Sequence, residues 1–183
     1  SSSTTANTTS TIRHSYYNSR EAAVVERIVT SVLQTGELSV RDIGIISPYN
    51  AQVKYITDLL HTLSTYSTYV KQHSTYSTYD EQNSTYSDED EHSTYSMEDN
   101  NHIEISSVDG FQGREKELII FTAVRSNKQG EVGFLNDWRR LNVAITRSKK
   151  GLIVIGDANT LNNNQYWKEF ILYCKQNNSF RII

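Results

Sequence analysis

Three unbroken runs of mostly branched apolar residues constrain this chain more than anything else in it: Ile43-Gly44-Ile45-Ile46, Leu118-Ile119-Ile120-Phe121 and Leu152-Ile153-Val154-Ile155. A strand with one wet face alternates apolar and polar residues, whereas a strand buried on both faces does not. Unbroken runs of this length therefore predict buried strands of a parallel sheet. Ile103–Val108 predicts a fourth, weaker strand. Segments of helical spacing lie around and between these runs. Asn18 is placed to cap a helix with Glu21 at the capping-box position, Val24, Val25, Ile28 and Val32 on one face and Gly36 at its end. Asn50 is expected to cap a second helix carrying Val53, Ile56, Leu60 and Leu63. Asp137–Lys149, ended by Gly151, and Trp167–Cys174 predict two more. Strands alternating with helices give an α/β domain: a three-layer parallel sheet covered on both faces.

Two segments do not fit that domain. Residues 1–15 are mostly Ser, Thr and Asn, and they are expected to form a disordered tail. Residues 64–100 repeat STYS at Ser64, Ser74, Ser84 and Ser93, and Ser, Thr and Tyr make up 20 of the 37 positions. Val70 and Met97 are the only aliphatic-type side chains there, too few to stack a repeat. The segment is expected to be a low-complexity, solvated insertion; a phosphorylatable or self-associating tyrosine-rich surface is the alternative. The expected domain is therefore 16–63 joined to 101–183. The insertion also distorts the charge balance. It holds eight acids against Lys71 alone, so the chain's net −3 separates into −7 there and 17 bases against 13 acids, +4, elsewhere. A mildly basic body permits polyanion binding without requiring it.

Several classes of function are excluded. No apolar stretch approaches the length needed to cross a bilayer, so no membrane partner is expected. The single Cys174 can form neither an internal disulfide nor a cysteine-based zinc site, which points to a reducing compartment, cytoplasmic or nuclear. The histidines at 14, 61, 73, 92 and 102 lack metal-ligand spacing, so no metal site is expected on this chain. Neither G-x-x-x-x-G-K-[ST] nor G-x-G-x-x-G occurs anywhere.

Ligands of parallel sheets sit beyond the carboxyl ends of the strands, and three polar clusters are expected there. Ser47-Pro48-Tyr49-Asn50-Ala51-Gln52 is either a strand-to-helix turn or a ligand loop. Ser106-Ser107-Val108-Asp109-Gly110-Phe111-Gln112-Gly113-Arg114-Glu115 combines two glycines with side chains of both polarities. In Trp138–Arg147, Arg140 and Arg147 lie two helical turns apart and share a face, with Leu141, Ile145 and Ser148 turned away. Two guanidiniums aimed one way suit an anion such as phosphate, although a solvated basic face would look the same. These residues describe an anion-binding domain that lacks its own nucleotide cradle.

The strings IGIISPYNAQ (43–52), SSVDGFQGREKELIIF (106–121), VRSN (124–127), GEVGFL (130–135) and RRLNVAITRSK (139–149) resemble the second RecA-like domain of superfamily 1B helicases. The nonsense-mediated-decay, immunoglobulin-mu-binding-protein and senataxin-like helicases are the nearest in character. The resemblance covers nearly all of 18–63 and 102–176. It identifies SVDGFQGREKE as motif V and RRLNVAITRSK as motif VI, and it implies a RecA-like, P-loop-NTPase-type C-terminal helicase domain. It further implies that Gly113 offers its backbone N–H to the γ-phosphate of ATP and that Arg147 is the arginine finger. Glu115 would contact the ribose, with Gln112, Arg114 and Arg140 beside the nucleotide. Ser47, Pro48, Tyr49, Asn50, Ser107, Val108 and Asp109 would lie along single-stranded RNA or DNA.

The P-loop, the Walker B acids, and the GD-x-x-Q and Q-Y-R-M elements of that family are not in this sequence. ATP and Mg²⁺ would accordingly be held mainly by a first RecA-like domain, and the chain alone is expected to be monomeric and inactive as an ATPase. The alternative is a non-catalytic nucleic-acid-binding or interaction module built on a helicase half-domain.

Overall fold

A computed structural model describes residues 15–62 and 102–183; the expected tail before Ser15 and the 64–100 insertion lie outside the described residues. The first helix, α1 (Ser19–Thr35), starts and stops where its caps predict. The Asn18 side chain accepts the N–H groups of Arg20 and Glu21, and Gly36 adopts the left-handed φ of 71° that closes the last turn. The buried stripe is Ala22, Val25 and Val29, with Val24, Ile28 and Val32 at its margins. That is a small rotation from the expected face, because α1 packs against both the sheet and α2 (Asn50–Thr62). Asn50 does not cap α2. The Tyr49 carbonyl accepts the first helical N–H groups, from Gln52 and Val53, and Ser15 Oγ receives the Ala51 N–H.

Four parallel strands form one sheet in the order β2-β1-β3-β4: β1 (Ile43–Ser47), β2 (Glu104–Ser107), β3 (Lys116–Thr122) and β4 (Ser148–Ile155). Every residue of β1 is buried, as its unbroken run requires. Ile43, Ile45, Leu118 and Ile120 face α1 and α2. On the other side, Ile46, Ile119 and Phe121 face α3 (Trp138–Arg147) and α5 (Gln165–Gln176). This is the three-layer α/β architecture of a RecA-like domain. The short α4 (Ala158–Leu161), capped by Asp157, and two 3-10 turns at Val40–Asp42 and Gly133–Asn136 had no periodic signal to announce them.

One boundary was misplaced. α3 ends at Arg147 rather than Lys149, and β4 begins at Ser148, four residues before its apolar run. Ser148 pairs with Lys116 and Gly151 with Leu118, so ladder hydrogen bonds draw a polar stretch into the sheet that helical spacing had claimed. The connection 108–115 crosses the sheet face from β2 to β3 without a helix. Its Phe111 lies over Gly44 so closely that a Cβ there would sit 2.6 Å from Phe111 Cζ. The glycine in the central strand therefore makes room for the loop that carries the candidate chemistry.

Candidate functional site

The carboxyl ends of β1 and β2 bring one group of expected residues together. Ser47 Oγ accepts the Tyr49 N–H at 3.3 Å and sits 3.4 Å from the Thr122 carbonyl, to which it donates. The Ser47 carbonyl accepts the Val108 N–H at 3.2 Å. Ser107 Oγ accepts the Gly110 N–H, and the Ser107 carbonyl accepts that of Phe111, closing a tight turn. A Cβ on Gly110 would lie 2.4 Å from Ser106 Oγ, so the turn excludes larger residues. Ser47, Pro48, Tyr49 and Val108 are buried, and their side chains serve as scaffold. Asn50, Ser107 and Asp109 are the members that reach solvent.

The second group separates from the first. Lys116 pairs with Ser148, so Glu115 and Arg147, each one residue earlier, sit at the amino ends of neighbouring strands. They lie at the opposite edge of the sheet from Ser47 and Ser107, not at the carboxyl ends where all three clusters were expected. Gly113 has φ +79° and open space where a Cβ would be, and Gln112, Gly113, Arg114 and Glu115 are all exposed. Arg114 is ion-paired with Glu104, which also holds Lys116 at 3.3 Å. Arg147 ends α3 with its Nη2 donating to Thr146 Oγ1 at 3.4 Å, while its Nε is buried and has no hydrogen-bond partner among the described residues. A buried guanidinium N–H without an acceptor is costly. Nε itself is closed to solvent, so an external anion would meet the terminal nitrogens of the guanidinium, a donor set that fits a phosphoryl group.

Arg140 does not stay with Arg147. Seven residues of helix separate them by about 10 Å along the axis. Arg140 sits 3.9 Å from Asp109 and 5.3 Å from the centre of the Phe134 ring, among the carboxyl-end residues. Of the residues expected to turn away, Leu141 is buried, Ile145 is 40% exposed, and Ser148 belongs to β4.

Sequence reasoning missed a buried polar network behind this end of the sheet. Glu21 accepts the Thr122 hydroxyl at 2.5 Å, the Val124 N–H at 2.8 Å and Asn18 Nδ2 at 3.2 Å. Gln52 accepts the Asn18 N–H at 2.7 Å and donates to Thr122 Oγ1 and the Asn18 carbonyl. α1, α2 and β3 are thereby tied at one point. Burial pushes the Glu21 carboxyl up from 4.5 to about 7, against the pull of its Thr122 and Val124 hydrogen bonds. The only signal was the i, i+3 spacing of Asn18 and Glu21, which suggested a capping box. The carboxylate instead serves Val124, a β-branched residue held at φ 70°. No helix among the described residues is long and apolar enough to cross a membrane, and none of their His, Cys, Asp and Glu side chains cluster to hold a metal.

The sequence has relatives among known proteins. A family model described as AAA domain matches residues 1–159. The regulator of nonsense transcripts 1 homolog of Neurospora crassa is 37% identical over 161 residues, covering 88% of this chain and 12% of that protein. The ATP-dependent helicase upf1 of Schizosaccharomyces pombe is 36% identical over 162 residues, 88% of this chain and 14% of that protein. DNA polymerase alpha-associated DNA helicase A of Saccharomyces cerevisiae is 38% identical over 173 residues, 93% of this chain and 20% of that protein. The chain thus spans a fifth or less of the length of these relatives.

Proposed function

Because this chain belongs to the AAA domain family, within the superfamily 1B helicases of the nonsense-decay type, we propose that it is the second RecA-like domain, 16–63 with 101–183, of an ATP-dependent helicase. It would complete an ATP site whose P-loop and Mg²⁺ belong to a first RecA-like domain. Gly113 and Arg147 face the γ-phosphate and Glu115 the ribose, with Gln112 and Arg114 at the rim. The observation that carries the reading is the pairing of Lys116 with Ser148, which sets Glu115 and Arg147 together at the amino ends of neighbouring strands.

ATP bound there would supply a phosphoryl group whose transfer leaves negative charge spread over its equatorial oxygens and building on the departing oxygen. Arg147 stands at the junction of α3 and β4, so its backbone is fixed on the side of the sheet where that charge would be met. Gly113 carries no side chain and has open space where a Cβ would stand, so the backbone can approach a ligand closely there. The carboxyl-end group of Asn50, Ser107 and Asp109, joined by Arg140, faces the RNA or DNA strand. This reassigns Arg140 from the nucleotide to the strand.

Steady-state kinetics on a protein containing this domain together with its P-loop domain tests the assignment. Arg147→Ala and Arg147→Lys should each lower kcat for ATP by at least about 10²-fold, because lysine keeps a charge but not the planar fork. Strand affinity should change far less. Glu115→Ala should raise KM instead, since a ribose contact is made in ground and transition states alike. Near-normal kcat in Arg147→Lys, or an Arg147→Ala that weakens strand binding alone, would refute the arginine-finger role.

A further inference from the structure

The carboxyl end of the sheet carries an arrangement of rings that phosphate binding does not require. Tyr49 is buried, and its hydroxyl fits against Gly133, where a Cβ would come within 2.7 Å. Two exposed rings flank it: Tyr16, edge-on at 5.6 Å, and Phe134, tilted at 5.5 Å. Each also carries a guanidinium, Arg125 at 4.6 Å from the Tyr16 centre and Arg140 at 5.3 Å from that of Phe134. Tyr16 remains 47% exposed and Phe134 53%. Isolated surface aromatics need no explanation. Two that share one buried ring as a backstop, each already held by an arginine, are preorganised.

Two further observations point to a ligand. A groove of about 630 Å³ runs between residues 16–20 and 124–127, with Tyr16 and Arg125 in its walls. The chain turns into that wall at Val124, whose φ of 70° is strained for a β-branched residue. Glu21 stabilises the turn by accepting the Val124 N–H, and Arg125 is held by the Glu131 carbonyl at 3.0 Å.

We propose that Tyr16 and Phe134, backed by Tyr49 and flanked by Arg125 and Arg140, form a base-stacking platform for single-stranded nucleic acid. The proposal rests on the reading that the carboxyl end faces the strand, and adds that this end grips bases as well as phosphates. Flat rings with adjoining guanidiniums accept the π-face of any base, so contact here is independent of sequence.

The test is titration of the 183-residue chain, at low salt, with single strands carrying 2-aminopurine and with abasic strands of the same length. Stacking should quench the 2-aminopurine fluorescence. Tyr16→Ala and Phe134→Ala should each lose much of the quench and about tenfold in affinity for the base-bearing strand. Their affinity for the abasic strand, and the slope of log K against log salt, should stay at wild-type values because the phosphate contacts remain. Phe134→Trp should retain the quench, and Tyr173→Ala, an exposed aromatic on α5, should behave as wild type. Phe134→Leu keeps apolar volume against Tyr49 without a flat face, and it decides the matter if alanine unfolds the loop. Persistent quench in Tyr16→Ala and Phe134→Leu, or equal wild-type affinity for the two strands, would overturn the platform alone. Failure of the wild-type chain to bind either strand would overturn the strand-facing reading and the platform with it.

Discussion

Replacing Glu21 by Gln isolates an electrostatic strain buried between α1 and β3. Three donors converge on the carboxylate, from Thr122, Val124 and Asn18, and they favour its charged form. Burial opposes them and prevails, holding the carboxyl near 7 against 4.5. The nearby charge of Asp157 pushes in the same direction as burial. Since the folded state keeps its proton to higher pH than the unfolded chain, stability from this group is full below about 4.5. It is lost as pH rises through about 7. At 1.36 kcal/mol per unit, the whole loss is about 3 kcal/mol, most of it between pH 5 and 8. Asp42, Asp137 and Asp157 are shifted downward, so their stabilisation is lost only at acid pH, below this window. Glu21→Gln cannot ionise, although its amide presents hydrogens toward groups that are themselves donors and costs about 1–3 kcal/mol at low pH. Urea unfolding of both proteins at half-unit steps from pH 5 to 8 measures the difference. The stability advantage of wild type over Glu21→Gln should shrink by about 2–3 kcal/mol across the series. An advantage that stayed constant would mean that Glu21 does not titrate in this window. One that grew would mean that the three hydrogen bonds outweigh burial.

Two substitutions test the packing that positions the site. Gly44→Ala places a methyl 2.6 Å from Phe111 Cζ and 2.8 Å from Ile119 Cδ1, and should cost about 1–3 kcal/mol by urea unfolding. An unchanged midpoint would show that the 108–115 loop does not rest on the sheet as described. Trp167→Phe removes the indole N–H donated to the Leu135 carbonyl at 2.9 Å inside the core. A loss of about 1–3 kcal/mol is expected from the unmatched carbonyl, and no measurable loss would mean that water reaches it.

The sequence by itself determined the layers and most of the elements. Unbroken apolar runs suit strands of a covered parallel sheet, fully so for β1, whereas Leu152, Ile153 and Val154 on the edge strand β4 stay half-buried. The Asn18 and Gly36 caps act through their own neighbouring backbone. Such signals are local, so they survive without knowledge of the partner element. That Ser47 and Ser107 each end a strand is local in the same way; that their strands are neighbours, Ser47 beside Ser107, is not.

What the tertiary structure decided is which groups share a place. Helical spacing set Arg140 and Arg147 on one face, yet the Lys116–Ser148 pairing ends α3 at Arg147 and sets that residue at the amino end of the strands. Arg140, two turns earlier, joins Asp109 and Phe134 at the other end. Glu21 lies 101 positions from the Thr122 hydroxyl it accepts and Gln52 lies 70 positions from the same side chain. Tyr16, Tyr49 and Phe134 likewise come from three separate segments. Contacts of that range leave no periodicity in the chain, because they are set by strand order and register rather than by the rise and turn of any one element.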